Sequence, residues 1–155
     1  MVHFIKKLRL FMACGILIAA VIAAMLSPMI TKAADNYPWP NASMGQLSPL
    51  RFNYRNCTDF VAWKLNVAMG GNAQNIKFSY GSLKFPGGDG NARGWYQGAL
   101  NSGYSANSTP AIGAVAWWGT SSGNMYGHVA IVTAVNSNGT VNVEEYNQAF
   151  TGKYG

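Results

Sequence analysis

Two side chains in this sequence can act together as a nucleophile and its base: Cys57 and His128. A thiol becomes a useful nucleophile when a neighbouring base takes its proton and later hands it to the leaving group. Cys57 stands in Asn56-Cys57-Thr58-Asp59, a helix-opening sequence. Its thiol therefore falls in a first helical turn, where free N–H groups and the positive end of the dipole favour an anion. The plainer alternative is a buried, inert thiol, a common fate of free cysteine. His128 opens the segment Gly127-His128-Val129-Ala130-Ile131-Val132, which reads as a strand. A lone histidine at a strand start is more often structural, so it is the pairing with Cys57 that suggests chemistry.

An imidazole base is usually oriented by a carboxylate or amide on its other nitrogen. Val143-Glu144-Glu145-Tyr146-Asn147 supplies three candidates. Asn136-Ser137-Asn138-Gly139 lies between two Val/Thr-rich runs and signals a hairpin. With an even-numbered loop, even positions of the first strand oppose odd positions of the second. His128 then shares a face with Glu145 and Asn147, and Glu144 points the other way. A one-residue bulge would reverse the choice. The plain reading of Glu144-Glu145 is a solvated strand end, yet these are two of only 5 acidic residues in the chain.

The elements that must position these groups follow from the pattern. Residues 34–50 are rich in Pro, Asn and Ser, which predicts an irregular arm. A mostly buried helix is expected from Cys57 to about Ala68, with Asn56 as N-cap, Asp59 reaching back in a capping box and Gly70-Gly71 as the stop. A loop over 70–90 precedes a second helix from Ala92 to about Asn101, which Gly94 and Gly98 weaken. Strands are expected at 111–118, 128–135 and 140–146, with a loop at 119–126. Helices followed by an antiparallel meander argue an α+β fold. Trp63 and Trp95 fall within the helices and read as core. Trp117 and Trp118 point to opposite faces of their strand, so one of them is a candidate to line a cleft.

The N-terminus accounts for much of the charge. The chain has 155 residues, 11 Lys+Arg against 5 Asp+Glu, and a net charge of +6. Lys6, Lys7 and Arg9 precede an uncharged apolar run from Leu10 to Leu26, and Thr31-Lys32-Ala33 offers a small-residue cleavage site. Residues 1–33 thus read as a signal peptide, with an uncleaved membrane anchor as the alternative. Residues 34–44 then form the N-terminal arm and 45–155 a single domain. Removing Lys6, Lys7, Arg9 and Lys32 leaves 7 basic and 5 acidic residues, net +2. No Lys/Arg cluster remains, so nucleic acid is not an expected partner. Removing Cys14 leaves Cys57 as the single thiol of an exported protein, so an internal disulfide is excluded.

Asn56-Cys57-Thr58-x-Phe60-Val61-Ala62-Trp63, then Gly127-His128-Val129-Ala130-Ile131-Val132, then Glu145-x-Asn147, resembles the CHAP family of cysteine, histidine-dependent amidohydrolases and peptidases. Gly71-Asn72-Ala73, Asn91-Ala92-x-x-Trp95, Gly103-Tyr104 and Pro110-x-Ile112-Gly113-Ala114-Val115-Ala116-Trp117 are similar to its linking segments. The resemblance covers about residues 45–150. It implies a papain-like α+β fold, with helices packed on an antiparallel sheet, and cleavage of amide bonds in bacterial peptidoglycan. Carried over, Cys57 is the nucleophile, His128 the general base and acid, Glu145 the group that orients the imidazole, and Asn147 a fourth polar member. The partner implied is peptidoglycan, outside the cell or at the wall, with contact to a membrane only through an uncleaved leader.

Two departures from the family pattern stand out. Members usually continue with further strands after the Glu-x-Asn segment, so the domain reads as a short or truncated form. Some members bind calcium through acids before the nucleophile, but residues 48–55 carry no carboxylate. No calcium is expected there, and one Cys with one His is too few for zinc; no cofactor is implied. The competing readings are a wall-binding module that has lost catalysis and a membrane-tethered interaction protein.

Overall fold

The computed structural model describes residues 2–6 and 34–155. Cys14, the apolar run and Thr31-Lys32-Ala33 lie outside the described residues. Five antiparallel strands form one sheet: β1 (His3–Lys6), β2 (Ser105–Asn107), β3 (Val115–Trp118), β4 (His128–Val135) and β5 (Val141–Glu144), in the order β2-β1-β3-β4-β5. The helices α1 (Cys57–Ala68) and α2 (Ala92–Asn101) precede β2 to β5 in the chain and pack on that sheet. This is the α+β arrangement expected, with both helices and β4 at their expected bounds.

The core follows from the two periodicities. Phe60, Val61 and Ala62 of α1 meet Trp95 and Ala99 of α2 over Val129 and Ile131 of β4. Together these remove most of their apolar surface from water, at about 25 cal/mol per Å². Trp63 and Trp95 are core residues, as their helical positions imply. Asn66 is buried within α1 but satisfied: its Oδ1 accepts the N–H groups of Lys77 (2.6 Å) and Phe78 (3.3 Å), and its Nδ2 donates to the Asn72 carbonyl. One buried amide thus organises the loop after α1, because a buried polar group is tolerated only when paired.

The helix glycines have a packing cause. A Cβ on Gly94 would lie 2.2 Å from the Asp89 carbonyl oxygen. The close approach of the 85–89 segment to α2 requires the missing side chain, which offsets the low helix propensity of glycine. The strands differ from expectation in extent. Residues 111–114 form a turn before β3, and β5 is confined to Val141–Glu144.

Two strands, β1 and β2, have no counterpart in the pattern of the sequence. β1 lies in the stretch that reads as the basic start of a leader, yet it is seated between β2 and β3, with Ile5 opposite Ala106 on one side and Val115 on the other. Ile5 is buried, and the His3 ring packs 5.0 Å from Tyr96 and 5.9 Å from Trp117. An alternating apolar residue between two open strand edges is enough to form a ladder. The polar composition of Ser105-Ala106-Asn107 gives β2 no strand signal of its own.

Candidate active site

The site lies where the N-terminus of α1 meets the start of β4 and the segment after β5. Asn56 occupies the N-cap with extended backbone, but its side chain makes no capping bond. Its Oδ1 instead accepts from Asn147 Nδ2 at 3.0 Å. The expected capping box is therefore not formed. Asp59 turns inward, fully buried, and accepts hydrogen bonds from the hydroxyls of Tyr37 and Ser48. The Tyr37 hydroxyl in turn accepts the Arg55 N–H at 3.0 Å, and the Ser48 hydroxyl accepts the Leu50 N–H at 3.0 Å. Two points of the N-terminal arm are thereby pinned to the first turn of the helix that carries Cys57. The box lost because buried hydroxyl donors outcompete a solvent-facing backbone N–H for the carboxylate.

Burial pushes the Asp59 carboxyl up to about 7, although the Ser48 and Tyr37 hydrogen bonds act to lower it. Its folded pKa thus exceeds the ordinary 3.8. The folded state then binds more protons between those values, and stability falls as pH rises through that window. Asp59→Asn removes this titration. The stability of the variant relative to wild type, measured by urea unfolding, should improve between pH 4 and pH 8 by on the order of 4 kcal/mol. An unchanged difference would contradict a buried, titrating Asp59.

His128 is buried at the first position of β4, opposite Trp118, whose ring lies 5.7 Å away. Its Nε2 pairs with Glu145 Oε2 at 2.8 Å. Cys57 lines the same cavity as His128 and is among the groups that act on the charge of its ring. Burial alone would lower the His128 pKa. The hydrogen bonds and charges of Cys57 and Glu145 outweigh it and bring the imidazole up from 6.5 to about 9. Cys57 is half-buried and free of any disulfide.

Glu145 is on the side of His128, where hairpin parity puts it, but by a different route. Val135 pairs with Val141, so the loop holds an odd number of residues, and a bulge between Val132 and Ala134 shifts the register once more. Two shifts cancel, and beyond the bulge Ile131 opposes Glu144. Glu144 reaches Lys64 of α1 at 2.6 Å instead. Asn147 directs its hydrogen bonds to groups other than His128. It adopts a left-handed φ of 61°, donates its N–H to the Lys153 carbonyl at 2.9 Å, and accepts the Gly152 N–H on its Oδ1 at 2.6 Å. It joins the residue before Cys57 to the turn over 147–152.

Cys57, His128 and Asn147 line a cavity of about 300 Å³. A second cavity, of about 490 Å³, continues past His128 under Trp118. Asn124, His128 and Phe150 line both, so the two cavities adjoin as the two limbs of a groove. Trp118 is the member of its pair that faces this groove, whereas Trp117 donates its Nε1–H to the Ala92 carbonyl at 2.7 Å. Sequence reasoning missed Tyr126, Asn124 and Phe150 as groove residues. Nothing in an isolated loop sequence marks them, and the left-handed φ of 58° that turns Phe150 outward is not readable from its residue type. Among the described residues no three His, Cys, Asp or Glu side chains gather as a metal site.

Known proteins share parts of this sequence. Staphylococcal secretory antigen SsaA of Staphylococcus aureus strain NCTC 8325 / PS 47 is 52% identical over 58 residues, 37% of this chain and 22% of that protein. Staphylococcal secretory antigen SsaA of Staphylococcus epidermidis is likewise 52% identical over 58 residues, 21% of its length. The match thus spans about a fifth of these curated relatives. No solved structure matches the chain. The sequence pattern of the CHAP domain matches residues 48–147, from the arm before α1 to the Asn147 that braces it, and the chain belongs to the CHAP domain family.

Proposed function

We propose that this protein is an exported hydrolase of peptidoglycan that cuts an amide bond through a Cys57 thioester. The observation that carries the proposal is His128 paired with Glu145 at 2.8 Å and lining one cavity together with Cys57. Export is supported by the basic and apolar leader pattern, and the relatives are named secretory antigens.

The steps follow from the positions. The sulfur of Cys57 attacks the amide carbonyl while its proton rests on His128. The oxyanion faces N–H groups of the first turn of α1, which have no intrahelical acceptor. As the C–N bond breaks, His128 gives its proton to the departing amine, and the acyl group remains on sulfur. A water then loses a proton to His128 and attacks the thioester, releasing the acid and the thiol. Glu145 stabilises the imidazolium formed on the way and fixes the ring.

Glu145→Gln removes that charge and should slow lysis of purified walls roughly 10²-fold. Glu144→Gln should leave lysis within about twofold and cost about 1 kcal/mol of stability through its lost ion pair with Lys64. Turbidity assays of both variants decide the matter, and equal losses would refute the role of Glu145. The pH profile gives a second test. His128 titrates at about 9. Turnover that needs its proton should fall as pH rises through that value, and in Glu145→Gln the alkaline limb should move to lower pH.

A further inference from the structure

The walls of the groove carry a chemical preference of their own. The side chains lining its two limbs are amides, hydroxyls and aromatics, among them Asn53, Asn124, Tyr126, Gln148 and Phe150. Among the described residues, no Lys, Arg, Asp or Glu lines either limb. The two arginines nearest in the chain to groove residues are engaged elsewhere. Arg55 donates to the Gly152 carbonyl at 3.0 Å, and Arg93 pairs with Asp89 at 2.5 Å and donates to the Met125 carbonyl at 3.1 Å. The ionisable groups close to the reacting atoms are Cys57, His128 and, behind the ring at 2.8 Å, Glu145.

A carboxylate entering this groove would lose water and find no Lys or Arg among the described lining residues, and the His128 imidazole beside it is already paired with Glu145 at 2.8 Å, so its burial is costly. It would also approach the carboxylate of Glu145. Side-chain amides offer one donor set and one acceptor, which match peptide and carboxamide groups. Peptidoglycan peptides carry free carboxylates unless these are amidated, so a groove of this kind discriminates between the two forms.

We infer that the groove selects a peptide segment without free carboxylates beside the scissile amide, its carboxyl side groups being carboxamides or absent. The inference rests on the hydrolase reading and narrows its substrate class. Tyr126 and Phe150, both exposed, supply apolar walls on which an uncharged backbone can lie. Selectivity then arises from the lack of an unengaged cation among the described lining residues more than from any single contact.

The test uses the full chain and two disaccharide–peptide units with their cross-bridge. They are identical except that the α-carboxyl of the γ-linked glutamyl residue is an amide in one and an acid in the other. The amide form should be cut with kcat/KM about tenfold higher, a factor worth about 1.4 kcal/mol. Gln148→Lys places a cation in the wider limb, and the amide-to-acid ratio should fall by roughly threefold or more. Cutting of both forms with a ratio below roughly threefold overturns the selectivity and leaves the hydrolase reading standing. An unchanged ratio in Gln148→Lys overturns the selectivity in the same way. Failure to cut either form, or native walls, overturns the hydrolase reading itself.

Discussion

Replacing Cys57 by Ala should reduce lysis of purified bacterial walls by roughly 10³-fold or more, to the level of a buffer control. The substitution removes the sulfur that forms the covalent bond and leaves His128 with no proton donor to serve. It deletes one half-buried atom, so the fold should survive. Sedimentation with walls should show binding intact, because the amides and aromatics of the groove are untouched. The pairing of lost lysis with retained binding separates a thiol hydrolase from a binding module. Lysis by Cys57→Ala at the wild-type rate would exclude the thioester route.

The second large effect is expected at Gly127, which holds a φ of +72° immediately before His128. A Cβ there would meet the Arg93 backbone nitrogen and the Trp118 carbonyl oxygen, each at 2.8 Å. Both are main-chain atoms of neighbouring elements, so no side chain can rotate away. The left-handed conformation adds about 1 kcal/mol for any residue with a Cβ, and the overlap adds about 1–3 kcal/mol more. Gly127→Ala should therefore lose about 3 kcal/mol of stability in urea unfolding. The strain is relieved by moving the start of β4, which carries His128 away from Glu145 and Cys57. A displacement of about 1 Å suffices for roughly a 10²-fold loss of activity. Gly81→Ala, where a Cβ meets nothing within 4 Å, should stay within about 0.5 kcal/mol of wild type. A Gly127→Ala protein as stable and active as wild type would show that β4 does not need this close approach.

Legibility in the sequence differs by element, for reasons that can be named. α1, α2 and β4 are readable because their apolar spacing, start residues and stop glycines agree. Cys57 and His128 stand out because leader assignment leaves a single thiol and a single imidazole. Glu145 rather than Glu144 does lie beside His128, but the loop and the bulge each contribute a shift that residue types do not announce. Asn147 lines the cavity with His128, yet its hydrogen bonds go to Asn56, Gly152 and Lys153. A left-handed φ after the end of β5 turns its side chain to Asn56 instead. Asp59 carries a valid capping signal that tertiary structure overrides, since the partners that claim it, Tyr37 and Ser48, lie in an arm with no periodic pattern. β1 is out of reach for a similar reason: its pairing depends on an opening between two strands far along the chain.

In the proposed reaction the thiol of Cys57 opens an amide of peptidoglycan by way of a thioester that water then cleaves. Mass spectrometry of muropeptides released from purified walls in ¹⁸O-labelled water tests it most directly. Each bond cut should yield one new amine and one new carboxyl, the carboxyl carrying one labelled oxygen, and Cys57→Ala should yield neither product. Unaltered muropeptides with the wild-type protein, or the same products from Cys57→Ala, would contradict it.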